Sequence, residues 1–293
     1  MQNFRGRTAV ITGGASGIGR AMADRFAKEG MNIVLADIEV GTLERAVEEL
    51  RAAGVTALGV PTDVGHFEQI EELARRSFEA FGSVHILCNN AGVASDGAPS
   101  WAQSANDWQW VMNVNLWSVV HGIRAFVPRM IEQNDEGHVV NTASLAGLFA
   151  MPMAAPYHVT KFGVVALTES LFYEFATVKS QLGASVVCPA WVKTRILESG
   201  RNRPEELKNS GAQAPDSGLM KAFRKRIEEQ GLTPSYIAER VFTAVRDKQL
   251  YVFTHPEFKD AVRWRMENIL NERNPTLEGA LGGMAKDMKV KPD

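Results

Sequence analysis

The sequence predicts a doubly wound α/β domain, a parallel sheet with helices on both faces. Three observations lead there. Short β-rich apolar runs alternate with helical stretches from residue 8 to residue 188, and a glycine-rich turn joins the first strand to the first helix. The β-then-α order repeats unit after unit, as a parallel sheet with crossover helices requires. In order, strands are expected at 8–11, 33–36, 55–60, 84–88, 137–142 and 184–188. Helices are expected between them at 18–29, 43–52, 67–81, 106–131 and 156–179. A ligand then belongs at the carboxyl ends of the strands.

Beyond residue 188 the regularity breaks. Residues 195–232 hold a polar Gly/Asn/Pro/Ser stretch and a basic amphipathic helix near 219–229, and they follow directly on a strand's carboxyl end. A substrate lid is the expectation there, with a solvated surface loop as the plainer alternative. Thr233-Pro234 begins another helix, since proline suits the first turn. A last strand at 250–254 and a final helix at 256–272 complete one domain over residues 1–273, with a tail at 274–293.

The 293 residues can bury a substantial core, and 45% hydrophobic with 23% charged residues is ordinary for a globular chain. With 32 basic and 34 acidic residues interspersed and a formal charge of −2, neither nucleic acid nor an anionic membrane is the expected partner. Cys88 and Cys188 sit in apolar runs with no Cys-x-x-Cys pair, so both read as buried strand residues. The chain enters an apolar strand by Thr8, and no apolar run approaches the roughly 18 residues a membrane helix needs. A cytoplasmic protein is expected.

The turn after the first strand reads Thr12-Gly13-Gly14-Ala15-Ser16-Gly17-Ile18-Gly19. Glycines let the backbone turn tightly and approach a pyrophosphate, and the helix start offers free N–H groups and a positive dipole end. The spacing is G-x-x-x-G-x-G, not G-x-G-x-x-G, and alone it could be a ligand-free turn. The second strand closes on Asp37, whose carboxylate can accept from adenosine ribose hydroxyls and would repel a 2′-phosphate. No Arg or Lys stands at Ser16 or Ile38, so NAD is favoured over NADP.

Tyr157 and Lys161 lie four apart at the start of the helix after the fifth strand, and so on one helical face. The spacing gains meaning from its surroundings. Ser144 lies just past the fifth strand, and Asn89-Asn90-Ala91-Gly92 follows the fourth. Free tyrosine titrates near pH ~10, so bringing it to about 7 takes roughly 4 kcal/mol of preferential phenolate stabilisation. A nearby ammonium in a partly desolvated pocket, helped by a cationic nicotinamide, could supply it.

With these motifs the chain resembles the short-chain dehydrogenase/reductase family. The resemblance rests on the Thr12 to Gly19 loop, Asp63-Val64, Asn89 to Gly92, Asn115, Ser144, Tyr157 with Lys161, and Pro189 with Thr194. It implies a Rossmann-type fold and a residue-by-residue division of labour. Tyr157 is the implied general acid/base, Ser144 orients the substrate oxygen, Lys161 bonds the nicotinamide ribose and lowers the tyrosine pKa, and Asn115 joins a proton relay. Cofactor contacts are implied at Gly13, Ser16, Gly17, Ile18, Gly19, Asp37, Asp63, Val64, Asn90, Ala91, Gly92, Pro189, Val192 and Thr194, besides Tyr157 and Lys161. Ala190 stands where the family usually has Gly, and Ala143 where a second serine is common.

Candidate substrate-facing segments are 93–98, 145–153 and Trp191 into the insert. Leu148, Phe149, Met151, Met153 and Trp191 make them apolar and partly aromatic, which suits a bulky apolar or aromatic secondary alcohol or ketone. Several could instead be core. Residues 195–204 and 251–256 resemble a subgroup that includes the Cα-dehydrogenases of lignin β-aryl ether breakdown, which implies benzylic alcohols. Arg195, Arg201 and Arg203 read as solvated loop charges or as a grip on an acidic group. The histidines lack metal-ligand spacing, so no metal is expected. Helix 156–178 is apolar on more than one side, and the family pairs through such helices, so a homodimer or homotetramer is expected. The alternatives are an NADPH-dependent ketoreductase and a nucleotide-sensing regulatory protein on the same scaffold.

Overall fold

A computed structural model describes residues 1–95, 97–209, 218–277 and 279. Its elements run β1 (Thr8–Thr12), α1 (Gly17–Ala27), β2 (Asn32–Asp37), α2 (Val40–Ala52), β3 (Ala57–Pro61), α3 (Phe67–Phe81) and β4 (Ile86–Asn89). They continue with α4 (Ala105–Met112), α5 (Ser118–Glu132), β5 (Gly137–Thr142), α6 (Ala155–Thr177) and β6 (Leu182–Cys188). Last come α7 (Gly218–Gln230), α8 (Pro234–Asp247), β7 (Tyr251–Phe253) and α9 (Lys259–Leu270). The seven strands form one sheet in the order β3-β2-β1-β4-β5-β6-β7, every pair parallel. This is the doubly wound, Rossmann-type single domain the sequence predicts.

Strand periodicity explains the two-sided core. Ile11, Ile33, Leu35, Ile86, Val140 and Val187 point to one face, where Met22 and Phe26 of α1 meet Ile237, Val241 and Phe242 of α8. Their alternates Val10, Val34, Leu87, Val139 and Ala184 point to the other, against Ile70 and Leu73 of α3, Phe126 and Met130 of α5, and Leu171 and Phe175 of α6. Most of these side chains are fully buried, each worth about 1.5–3 kcal/mol of transfer free energy. Cys88 and Cys188 are buried strand thiols, as expected.

Several boundaries differ from expectation. The helix expected at 106–131 is three pieces, because Asn113–Trp117 forms a π-helical segment between α4 and α5. β3 starts at Ala57 rather than residue 55, β4 at Ile86 rather than 84, and α2 at Val40 rather than 43. Val84 still enters the core, but its backbone bonds to the side chain of Gln133 instead of a neighbouring strand. The last helix is a short 3-10 turn, Pro256–Phe258, followed by α9. Within the expected lid, residues 210–217 lie outside the described residues, as do residue 278 and residues 280–293 of the expected tail. No helix among the described residues is long and apolar enough to cross a membrane.

The strand order reverses between β1 and β4, which hydrogen-bond side by side while the chain winds outward from them in both directions. A crevice opens beyond their carboxyl ends, the place where such sheets take ligands.

Candidate active site

The crevice is a cavity of about 450 Å³ running from the end of β2 across the glycine loop to the end of β6. Gly13 and Gly17 adopt φ of +60° and +56°, left-handed values that side chains resist. Gly19 has a different reason. A Cβ there would stand 2.1 Å from the Gly13 carbonyl oxygen and 2.7 Å from Asn90 Nδ2. Ser16 is the N-cap residue of α1, yet its side chain caps nothing, so first-turn N–H groups remain for an incoming phosphate. The residues present therefore fit a dinucleotide's pyrophosphate.

Asn90 fastens three strand ends. Its Nδ2 donates to Thr12 O (3.0 Å), its N donates to Thr12 Oγ1 (2.9 Å), and its Oδ1 accepts from Thr142 Oγ1 (3.2 Å). Asp37 closes β2, where Oδ2 accepts from Ala15 N and Oδ1 from Glu39 N, both at 3.1 Å. Burial pushes the Asp37 carboxyl up against these stabilising N–H groups. Asp63 Oδ1 accepts from Gly65 N (2.9 Å) and holds the turn after β3. Thr194 lies over the glycine loop, its Cγ2 3.2 Å from where a Gly17 Cβ would be.

The sheet's centre carries the reactive groups. Tyr157 and Lys161 face the cavity one turn apart at the start of α6, with Lys161 Nζ 5.6 Å from the centre of the Tyr157 ring. Nζ donates to Thr142 O at 2.9 Å. Ser144 Oγ donates to Pro189 O (3.2 Å) and accepts from Ala146 N (3.1 Å). Burial raises the Tyr157 phenol above its ordinary value, and the Ser144 hydrogen bond opposes that rise. Burial also pushes the Lys161 ammonium down to about 8.

Of the expected residues, all but Gly19 and Asn115 line the cavity. Asn115 stands behind the wall in the π-helical segment, where its Oδ1 accepts from Val93 N (2.8 Å) and its Nδ2 donates to Val93 O (2.9 Å). That side chain is a backbone clamp, and π segments of this kind recur at functional sites.

The substrate side is apolar, formed by Val93, Trp110, Leu145, Phe149, Met151, Met153, Trp191 and Phe258. Leu148 corrects one expectation, since it packs into the core beside Val119 and Val164 instead of lining the cavity. Asp96 lies outside the described residues. Two histidines shape this wall, as structural groups. His158 Nε2 accepts from Met151 N, so Nδ1 carries the proton and donates to Ala146 O at 2.8 Å. His255 Nδ1 accepts from Ala190 N, so its Nε2 donates to Trp191 O at 3.1 Å.

The arginines of the insert do not reach for a substrate charge. Arg195 pairs with Glu198 at 2.9 Å, Arg201 with Glu39 at 2.6 Å and Arg203 with Asp107 at 2.7 Å. The side chains of the last pair are buried, and Asp107 also accepts from Ser104 N, Ser104 Oγ and Asn209 Nδ2. Ser199 Oγ accepts from Ala94 N at 3.0 Å. Residues 196–209 thus form a strap across the crevice, tied at Ala94, Glu39 and Asp107. Sequence reasoning missed Glu39, Ser199 and Asn202. The only local signal was an acidic residue two places after Asp37, just ahead of α2.

Residues 7–205 match the short chain dehydrogenase family. A C alpha-dehydrogenase of a Sphingobium species is 34% identical over 276 residues, covering 94% of this chain and 89% of that protein. A CLA biosynthesis dehydrogenase/reductase of Lactiplantibacillus plantarum is 30% identical, covering 94% and 98%. The crystal structure of a short chain dehydrogenase/reductase from Burkholderia phymatum, in complex with NAD, is 43% identical. It superposes with a TM-score of 0.91 over 94% of this chain and 98% of that one. With the parallel sheet and the glycine loop at its reversal, these matches settle the family. The chain belongs to the short-chain dehydrogenases, oxidoreductases that bind a nicotinamide cofactor, and within them it is similar to the Cα-dehydrogenases.

Proposed function

We propose that the chain is an NAD-dependent dehydrogenase of bulky apolar or aromatic secondary alcohols, with benzylic alcohols as the leading class. The observation that carries the cofactor assignment is Asp37, a carboxylate fixed at the crevice end of β2 by two backbone N–H groups. There it can accept from ribose hydroxyls and repel a 2′-phosphate. The NAD bound to the 43% identical Burkholderia phymatum protein supports the same reading. The apolar wall, and the similarity to a C alpha-dehydrogenase, support the substrate class.

The bound nicotinamide would supply the hydride acceptor. Around it, Ser144 hydrogen-bonds the substrate oxygen and orients it towards Tyr157, which takes the hydroxyl proton as hydride leaves the carbinol carbon. Lys161, beside the tyrosine ring, would hold the nicotinamide ribose and, while protonated, favours the phenolate by its charge. Asn115 positions Val93 and with it the wall beside the reacting carbon. Carbonyl reduction runs the same groups in reverse.

A cytoplasmic homodimer or homotetramer completes the proposal. Trp117, Val159 and Tyr173 leave apolar surface exposed on the π-helical segment and α6, as a pairing face would. The test titrates the protein with NADH and NADPH by fluorescence, then measures NAD reduction with aryl, steroid and aliphatic alcohols. Tighter NADPH binding would overturn the cofactor assignment, and normal turnover by Tyr157→Phe would overturn the mechanism.

A further inference from the structure

We infer that Glu39 is a specificity-determining residue for the cofactor: it captures Arg201 of the strap and keeps that guanidinium from serving a 2′-phosphate. The inference rests on the assignment of the adenosine half to the Asp37 end of the crevice.

Asp37, Glu39, Arg201 and Asn202 all line that end. Asp37 Oδ1 accepts from Glu39 N, so the two carboxylates stand on one turn. Glu39 Oε1 then accepts from Arg201 Nε (2.8 Å), Arg201 Nη2 (2.6 Å) and Asn202 Nδ2 (2.9 Å), while Oε2 accepts from Thr42 Oγ1 (3.3 Å). These bonds hold the Glu39 carboxyl below its usual range, with Asn202 the largest cause, so it is ionised at neutral pH.

The position of Arg201 does not depend on Glu39 alone. Its Nη1 donates to two carbonyls of the strap itself, Glu198 O at 2.9 Å and Arg195 O at 3.4 Å. A guanidinium is therefore held at the ribose end of the crevice whether or not a carboxylate opposes it. Guanidinium is the group best matched to a phosphate, with paired donors in one plane. What prevents that use here is the carboxylate already occupying its Nε and Nη2 face. Removing the charge of Glu39 while keeping its shape should expose a phosphate-binding cation beside Asp37. Asp37 itself remains, so the preference should weaken without inverting.

The experiment compares Kd values for NADH and NADPH, by nicotinamide fluorescence, in the native protein, Glu39→Gln, Arg201→Met and the double variant. Glu39→Gln should lower the Kd(NADPH)/Kd(NADH) ratio by about tenfold, the factor one charge-assisted hydrogen bond is worth. Arg201→Met alone should raise the ratio, because Glu39 is then an uncompensated carboxylate, and in the double variant the gain should vanish. A ratio unmoved by Glu39→Gln, or a gain that persists without Arg201, would overturn the inference. If Glu39→Gln does not fold, Arg201→Met decides: a ratio that stays level or falls refutes it. Failure of the NAD assignment shows separately, as tighter NADPH binding by the native protein.

Discussion

Replacing Lys161 by methionine should move the pH profile of alcohol oxidation as well as lower the rate. The ammonium lies 5.6 Å from the centre of the Tyr157 ring. At an effective dielectric constant of about 20, a unit charge at that distance favours the phenolate by ~3 kcal/mol, or roughly two pK units. Oxidation needs the phenolate, so kcat/KM rises with pH through the tyrosine's pKa. In Lys161→Met that inflection should shift upward, and below about pH 8, where the native ammonium keeps its proton, the rate should fall about 100-fold. The assay follows NADH appearance across pH at saturating NAD, with the best alcohol from the panel. Equal loss at every pH with an unmoved inflection would refute the electrostatic role, leaving Lys161 as a ribose ligand only.

The same variant should be more stable than the native protein when free of cofactor. Burial lowers the Lys161 pKa from 10.5 to about 8, so between those values the unfolded chain binds the extra proton and stability rises with pH. At pH ~7 the full penalty of a buried ammonium, ~3 kcal/mol, is present, and methionine removes it. A melt showing no gain at neutral pH would contradict this. Arg203→Met should do the opposite, because it leaves the buried Asp107 without its cation. A loss of about 3 kcal/mol, read as a melting point about 6 °C lower, is expected. Burial raises the Asp107 pKa, but Arg203, Ser104 and Asn209 outweigh it and hold it low. The deficit should therefore be full above the ordinary carboxyl range and shrink as the pH falls through it. Gly19→Ala places a Cβ 2.1 Å from the Gly13 carbonyl oxygen, so the loop must move. It should cost about 1–3 kcal/mol in a melt, and undiminished NADH affinity in a titration would show the loop had tolerated it.

The features legible in the sequence are those with a local cause. The strands read as short β-rich runs between helical stretches, clearest at the apolar 33–36 of β2, and the loop at Gly13 and Gly17 reads as glycine because of its backbone angles. Tyr157 and Lys161 share a helical face by spacing alone. The strap's ties were not legible, because Glu39 and Arg201 are 162 residues apart and Asp107 and Arg203 are 96 apart. Such charges look like solvated surface until the fold brings them together. The break between α4 and α5 was equally hidden. Asn113–Trp117 contains neither proline nor glycine, and its π geometry accompanies the clamp of Asn115 on Val93, a tertiary contact. The raised phenol of Tyr157 follows from burial, which spacing does not report.

That π segment also bears on how the chain tolerates changes of length. Each helical residue turns the chain by about 100°, so one residue more or fewer re-phases everything downstream. Within 113–117 the i→i+5 turn already holds one residue more than an α-helical turn, so deleting one there relaxes it to α geometry and leaves Phe126 and Met130 facing the sheet, whereas a deletion inside α5 ahead of them would rotate both away. The extra residue is thus what carries Asn115 onto Val93 without re-phasing α5, and a single-codon deletion in the π turn would cost the clamp while sparing the core.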